Sequence, residues 1–252
     1  MRPKENPMTV QLVPIQTGDG SYTFYNVHEN IYFRSLQGAR EEARYVFLEG
    51  THLLAQKPDW QVLELGLGPG MNFLVTAEAF LDKQPGGCLR YHVVENAPLE
   101  AARLNQLHYS QWLKEPQLFE LLKSVLEQAK TNSHCQAQFQ NIELVLYHCS
   151  WDQVALPPKL KFQALYHDPF GPAANPEGWN QACFDWEAQA LSETGILATY
   201  GAATAVRKAM AKAGLHLASR KGSGNKREMT LAAKNAEVLS DYNLLLREKY
   251  LK

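Results

Sequence analysis

The chain has 252 residues, a formal net charge of −1, 45% hydrophobic and 20% charged residues, which suits one large globular domain, or one domain with appendages. No apolar run approaches the ~20 residues that a membrane-spanning helix needs. The first residues, MRPKENPMTVQLVPIQ, lack the apolar core of a signal peptide, so no membrane and a cytoplasmic location are expected. Cys88, Cys135, Cys149 and Cys183 are scattered without a C-x-x-C pair, which argues against a disulfide framework and against a metal site.

Residues 9 to 15, TVQLVPI, and 21 to 27, SYTFYNV, alternate apolar and polar around the turn Thr17-Gly18-Asp19-Gly20. This predicts a β-hairpin ahead of the main fold. Gly38 to Gly50, GAREEARYVFLEG, predicts a helix whose Arg40, Glu41, Glu42 and Arg44 read as surface ion pairs. Val62-Leu63-Glu64-Leu65 then reads as a buried strand, followed by Gly66, Gly68 and Gly70 and a helical pattern from Met71 to about Leu81. A strand, a glycine turn and a helix make the first half of a βαβ unit. Glycines there let the backbone pass close to a ligand at the helix N-terminus. A dinucleotide fingerprint would need its third glycine at Met71. The pattern present, E-x-G-x-G-x-G from Glu64 to Gly70, resembles the first motif of S-adenosylmethionine (SAM) methyltransferases, with Glu64 facing the cationic amino group of the cofactor's methionine part.

Leu89 to Val94 predicts a second strand ending at Glu95, where an acidic residue suits the two hydroxyls of a ribose. Residues 98 to 130 read as two helices broken at Pro116, one of them added outside the sheet. His108 and His134 have no metal-ligand spacing. Residues 142 to 147, IELVLY, predict a third strand. Ser150 and Trp151 follow where an adenine is commonly cradled, and Trp151 either stacks on the base or belongs to the core. A fourth strand, Phe162 to His167, leads into Asp168-Pro169-Phe170-Gly171-Pro172. Ligands of open parallel sheets bind at the strands' carboxyl ends at the switch in strand order, so Asp168 and the glycine loop are expected in one pocket. Between Glu193 and Glu228 there is no acidic residue but there are seven basic ones: Arg207, Lys208, Lys212, Arg220, Lys221, Lys226 and Arg227. In a chain with almost no net charge, this block is the local feature that favours a nucleic-acid partner.

Asp168-x-Phe170-x-Pro172 followed by Asn175-Pro176-x-x-Trp179 resembles a signature of the MnmC-type tRNA methyltransferases. Leu197-Ala198-Thr199-Tyr200, the segment Lys221 to Met229, Tyr32-Phe33 and Arg44 to Gly50 are similar to further segments of that family. The likeness spans about Tyr25 to Ala232. It implies an α/β, Rossmann-like class I fold: a mostly parallel sheet with an antiparallel last strand, plus the hairpin and helical additions. The whole chain would be one domain, with the hairpin and first helix in 1–55, the core in 56–233 and a C-terminal helix in 234–252. The implied reaction is methyl transfer from SAM to the primary amine of 5-aminomethyl-(2-thio)uridine at the tRNA wobble position. The chain ends at Lys252 without a second dinucleotide fingerprint, so the likeness implies the stand-alone methyltransferase, a monomer, with the oxidase or other aminomethyl-forming enzyme supplied separately. It implies cofactor contacts from Glu64, Gly66, Gly68, Gly70, Asn72, Glu95, Ser150, Trp151 and Asp168, and substrate contacts from Tyr32, Phe170, Pro172, Lys226 and Arg227. Ser150 and Asp152 compete for the adenine amino group.

Such a transfer needs an amine with a free lone pair, whereas a primary alkylamine is mostly protonated at neutral pH, with a reference value of ~10.4 for lysine. Asp168 is expected to accept a hydrogen bond from the amine and to orient it. A small-molecule amine methyltransferase, an aminopropyltransferase and a non-catalytic RNA-binding module are the competing readings.

Overall fold

The computed structural model describes residues 11–57, 59–83 and 86–251. The central feature is a nine-stranded sheet built from β4 (Trp60–Leu65), β5 (Leu89–Val94), β6 (His134–Phe139), β7 (Ile142–Tyr147), β8 (Phe162–His167), β9 (Leu191–Thr199), β10 (His216–Arg220), β11 (Met229–Ala233) and β12 (Asn243–Leu245). The order is β12-β10-β11-β9-β8-β4-β5-β7-β6. Strands β7, β5, β4, β8 and β9 are parallel. Strand β11 is antiparallel to β9, as expected. The chain adds strands outward from β4 to β7 and then returns to β8 on the other side of β4. The β4/β8 boundary is therefore the switch point, and crevices form there at the carboxyl ends of the strands.

The buried strands are apolar runs because helices cover both faces. On one face lie α2 (Met71–Lys83) and α3 (Gln117–Gln128). The first seven residues of α2 are all buried, and Phe80 packs edge-on to Trp60. The other face carries α4 (Gln181–Ala190) and α5 (Thr204–Lys212) over a separate apolar cluster that includes Leu165, Phe184 and Leu197. Each fully buried Leu or Phe contributes roughly 1.5–3 kcal/mol to holding the layers together.

The hairpin forms as β1 (Leu12–Gln16) and β2 (Tyr22–Asn26), with β3 (Ile31–Tyr32) added as a third strand. Residues 9 and 10 of the predicted first strand lie outside the described residues. The hairpin turn caps the next helix, α1 (Ala39–Glu42). Thr17 Oγ1 accepts from Ala39 N–H at 3.1 Å, Ser21 Oγ from Arg40 N–H at 3.2 Å and Asp19 Oδ2 from Glu41 N–H at 2.8 Å. These side chains satisfy donors that a helix start leaves unpaired. After α1 the helix continues over Ala43–Glu49 with a wider, π-type turn.

Two expectations are corrected, and one strand was not foreseen. The described residues 234–251 do not form the expected helix: they form β12 between two short 3₁₀ turns, Ala236–Leu239 and Arg247–Lys249. The free edge of β10 offers this segment hydrogen bonds that outweigh its modest helix propensity. The first half of 98–130 is a 3₁₀ run, Ala101–Leu107, rather than an α-helix, and it stops at His108, whose φ is 49°. The segment around His134 is an edge strand, β6, paired with β7. Its alternation of Cys135, Ala137 and Phe139 with glutamines carried that signal weakly.

Candidate active site

The glycine loop and the loop after β8 touch, and that contact explains the glycine. Gly66 has φ of +90°, and a Cβ placed there would lie 2.7 Å from the Asp168 carbonyl oxygen. The backbone N–H of Asp168 in turn donates to Leu65 O at 2.9 Å. Gly68, at φ +50°, lies against the ring of Phe33, and that ring meets Phe170 at 4.8 Å between centroids. Tyr32-Phe33-Arg34 thus crosses the mouth between the two loops.

Beneath the loops lies a buried polar cluster. Asn72 Nδ2, in the first turn of α2, donates to Glu64 Oε1 at 2.6 Å and to Asp168 Oδ2 at 2.9 Å. Tyr91 OH donates to Glu64 Oε2 at 2.8 Å. Arg34 pairs through Nη2 with Asp168 Oδ2, and the same nitrogen lies 4.0 Å from Glu64 Oε1. The side chains of Arg34, Glu64 and Asp168 are only 3%, 0% and 8% exposed. Asp168 Oδ1 makes no hydrogen bond among the described residues. Burial pushes the Glu64 carboxyl up to about 8 against the pull of Arg34, with Asp168 adding to the rise. Burial also lifts Asp168 to about 6, opposed chiefly by Arg34. Both shifts follow from placing two carboxylates and one guanidinium where water cannot solvate them.

This geometry changes the role of Glu64. Both of its oxygens are already occupied, so a direct contact with a ligand ammonium would require Asn72 or Tyr91 to let go. It bears on the pocket through its hydrogen bond with Asn72. Glu42 is also corrected. It is buried rather than part of a surface ion pair, and it accepts from Ser35 N–H at 3.0 Å and from Lys226 Nζ at 2.7 Å.

Glu95, half-buried at the end of β5, accepts through Oε2 from Leu67 N–H at 3.0 Å and Gly68 N–H at 3.3 Å. It fixes the glycine loop with one oxygen, while its other oxygen accepts from Ala97 N–H at 2.8 Å. Ser150 and Trp151 open a 3₁₀ turn after β7, the neighbour of β5 in the sheet. Trp151 is half-buried, and its ring lies 6.2 Å from that of Trp186. Phe170 is half-buried and its carbonyl accepts from Trp179 Nε1 at 2.7 Å, while Pro172 and Tyr32 are exposed. Lys226 Nζ sits 4.6 Å from the Tyr200 ring, and Tyr200 OH donates to Pro169 O at 2.7 Å. The loop Asp168–Phe170 is therefore held from behind by Tyr200 and Trp179.

The basic block is less free than its composition suggests. Arg207 pairs with Glu228, Arg220 with Glu49 and Lys226 with Glu42. Lys221 and Arg227 are exposed and form no ion pair among the described residues. Behind Asp168, His167 Nδ1 and a Glu187 oxygen share a hydrogen bond at 2.8 Å, and Cys183 lies close by. Burial drives the Cys183 thiol far above its usual range.

Sequence reasoning found Glu64, Asn72, Glu95 and Asp168, and the structure gathers these around one loop pair. It missed Arg34 and Tyr91 as members of the cluster. Arg34 follows an aromatic pair in a short irregular segment, where no periodicity marks which side chains turn inward. Among the described residues, no helix is long and apolar enough to cross a membrane.

Residues 114–235 match the model of a family described as S-adenosyl-L-methionine-dependent methyltransferases. The chain is 32% identical over 227 residues to the tRNA 5-methylaminomethyl-2-thiouridine biosynthesis bifunctional protein MnmC of Cupriavidus metallidurans, covering 87% of this chain and 33% of that protein. It is 33% identical over 231 residues to the protein of the same name from Ralstonia nicotianae, covering 89% of this chain and 34% of the relative. The chain thus spans about one third of the length of the curated relatives it matches. Among solved structures it is similar to MnmC2 from Aquifex aeolicus, with a TM-score of 0.72 at 22% identity, covering 98% of this chain and 82% of that one. That likeness agrees with the fold described above.

Proposed function

We propose that the chain is an S-adenosyl-L-methionine-dependent methyltransferase that methylates the primary amine of 5-aminomethyl-(2-thio)uridine in the tRNA wobble position. The observation that carries the reading is Asp168: a buried carboxylate at the switch point, beside the glycine loop, with Oδ2 fixed by Arg34 and Asn72 and Oδ1 unengaged. The likeness to MnmC proteins supplies the substrate class.

The residues present fit the cofactor. Asn72 Oδ1 and Arg34 Nη1 are buried polar atoms without partners among the described residues, one an acceptor and one a donor, in the cluster below the glycine loop. They suit the ammonium and carboxylate of an amino-acid end. Gly66, Gly68 and Gly70 keep the loop free of side chains, and Glu95 is set for ribose hydroxyls once it releases the loop amides. Ser150 and Trp151 are candidates for the adenine. When bound, the cofactor would supply an electrophilic sulfonium methyl group for the amine lone pair, with a neutral thioether as the leaving group.

The chain's own task is positioning, with the amine about 3–3.5 Å from the carbon it attacks. Asp168 Oδ1 accepts a hydrogen bond from the amine and steadies the positive charge that develops on nitrogen. Phe170 is placed to stack on the uracil ring, with Tyr32 and Pro172 at the rim. Lys221, Arg227 and Lys226 are the cations nearest to where a tRNA backbone would run. The proton that the substrate ammonium sheds before the transfer goes to solvent, and the methylated nitrogen leaves as a secondary ammonium. Asp168→Ala tests the assignment: methyl transfer should fall by orders of magnitude while titration calorimetry still detects SAM binding. Unchanged turnover would remove Asp168 from the reaction.

A further inference from the structure

An amine-methylating pocket with an acidic residue at its centre faces a chemical conflict. A bare carboxylate draws in the ammonium form, whose nitrogen has no lone pair, and holds it there. The charges around Asp168 resolve this conflict. We propose that Arg34 is a positioning residue that offsets the charge of Asp168, so that the pocket accepts the substrate amine in its neutral form. This inference rests on the function proposed above and assigns a residue and a selection step to it.

The groups facing Arg34 among the described residues are Asp168 from the β8 loop, Glu64 from β4, Tyr91 from β5, Glu42 from α1 and two neutral phenols, Tyr109 and Tyr200 after β9. Phe47, from the π-type turn, packs under the guanidinium at 5.7 Å. Asp168 is paired with Arg34, and Glu42 is paired with Lys226 at 2.7 Å. Glu64 has no cation of its own nearer than the 4.0 Å to Arg34. Its burial favours the protonated form, which lets it stay uncharged near neutral pH. The cluster then carries no net negative charge to attract an ammonium.

Geometry adds direction. Arg34 and Asn72 both occupy Oδ2 of Asp168, so the carboxylate is turned with only Oδ1 left for a ligand. An ammonium at Oδ1 would stand across the same carboxylate from the guanidinium, where like charges repel strongly in a site shielded from water. A neutral amine can donate one N–H to Oδ1 and aim its lone pair at the methyl carbon.

Two measurements test this. The first uses the wild-type chain saturated with S-adenosylhomocysteine. Its affinity for an RNA stem-loop carrying 5-aminomethyluridine is measured across pH, beside the same stem-loop with 5-hydroxymethyluridine, which does not titrate. The aminomethyl RNA should bind at least tenfold more tightly, relative to the control, as the amine loses its proton. A flat or falling ratio would overturn the inference. Failure of both RNAs to bind at every pH would overturn the underlying functional reading, and the inference with it. The second measures kcat against pH for Arg34→Gln and Arg34→Lys. Loss of the cation should move the acid limb up by about one to two pH units, and the lysine variant should restore most of that shift. An Arg34→Gln profile that is lower at every pH but unmoved would overturn the inference and leave Arg34 to the fold or to holding the cofactor.

Discussion

Gly66→Ala probes the contact on which the site depends. The wild-type residue has φ of +90°, a region that L side chains rarely adopt. A methyl group there would stand 2.7 Å from Asp168 O, 3.0 Å from Asp168 C and 3.1 Å from the Cα of Pro169. All three are backbone atoms, so no side-chain rotation relieves the clash. The left-handed conformation costs about 1–2 kcal/mol, and overpacking against a fixed backbone adds about 1–3 kcal/mol. The summed destabilisation is therefore roughly 2–5 kcal/mol, a large part of a domain's net stability. Relief comes only by moving the Asp168 loop away from the glycine loop, so activity should fall further than stability alone explains. Urea unfolding gives the first quantity, and SAM titration with turnover on the surviving folded protein gives the second. A variant that unfolds within 0.5 kcal/mol of wild type and turns over normally would refute the claim that the two loops share one rigid pocket.

Glu64 has a pKa raised above its unfolded value, so its contribution to stability is complete below the ordinary carboxylate range and is lost as pH rises towards about 8. Asp168 acts in the same direction, towards about 6. The melting temperature of the cofactor-free protein should thus fall between pH 5 and 8 through these groups; Glu64→Gln should flatten that slope, and an unchanged slope would reject Glu64 as its source. Tyr200→Phe removes a 2.7 Å hydrogen bond to Pro169 O and should cost about 0.5–1.5 kcal/mol while loosening the Asp168 loop, read as a lower kcat with SAM affinity kept. Replacing Lys221 and Arg227 by alanine should weaken tRNA binding and reduce its salt dependence by about one unit of slope per residue. The same change at Lys212, which lies in the basic block but at the end of α5, should do less.

The parts of this molecule written in local pattern were legible in its sequence. The apolar run ending at Leu65, the alternate glycines and the helix from Met71 sit next to one another in the chain, and backbone geometry alone links them. Asp168 was legible because a parallel sheet fixes where the strand before it must end. Arg34 was not, because its partners Glu64 and Asp168 are distant in sequence and its own segment has no repeat to show which way it faces. Glu42 misled for a related reason. Charges on a helix usually face solvent, yet this one is drawn inward by Lys226 and by Ser35 N–H. The C-terminal segment shows the same limit, since an open sheet edge overrode its local preference.

The measurement that bears most directly on the central claim is nucleoside mass spectrometry. The protein is incubated with SAM and with tRNA carrying 5-aminomethyluridine or its 2-thio form, and the digested tRNA is compared with a sample lacking enzyme. The account predicts that this nucleoside alone gains one methyl group, on its side-chain nitrogen. No gain on the tRNA, with SAM bound and methyl passed instead to a free small amine, would contradict it.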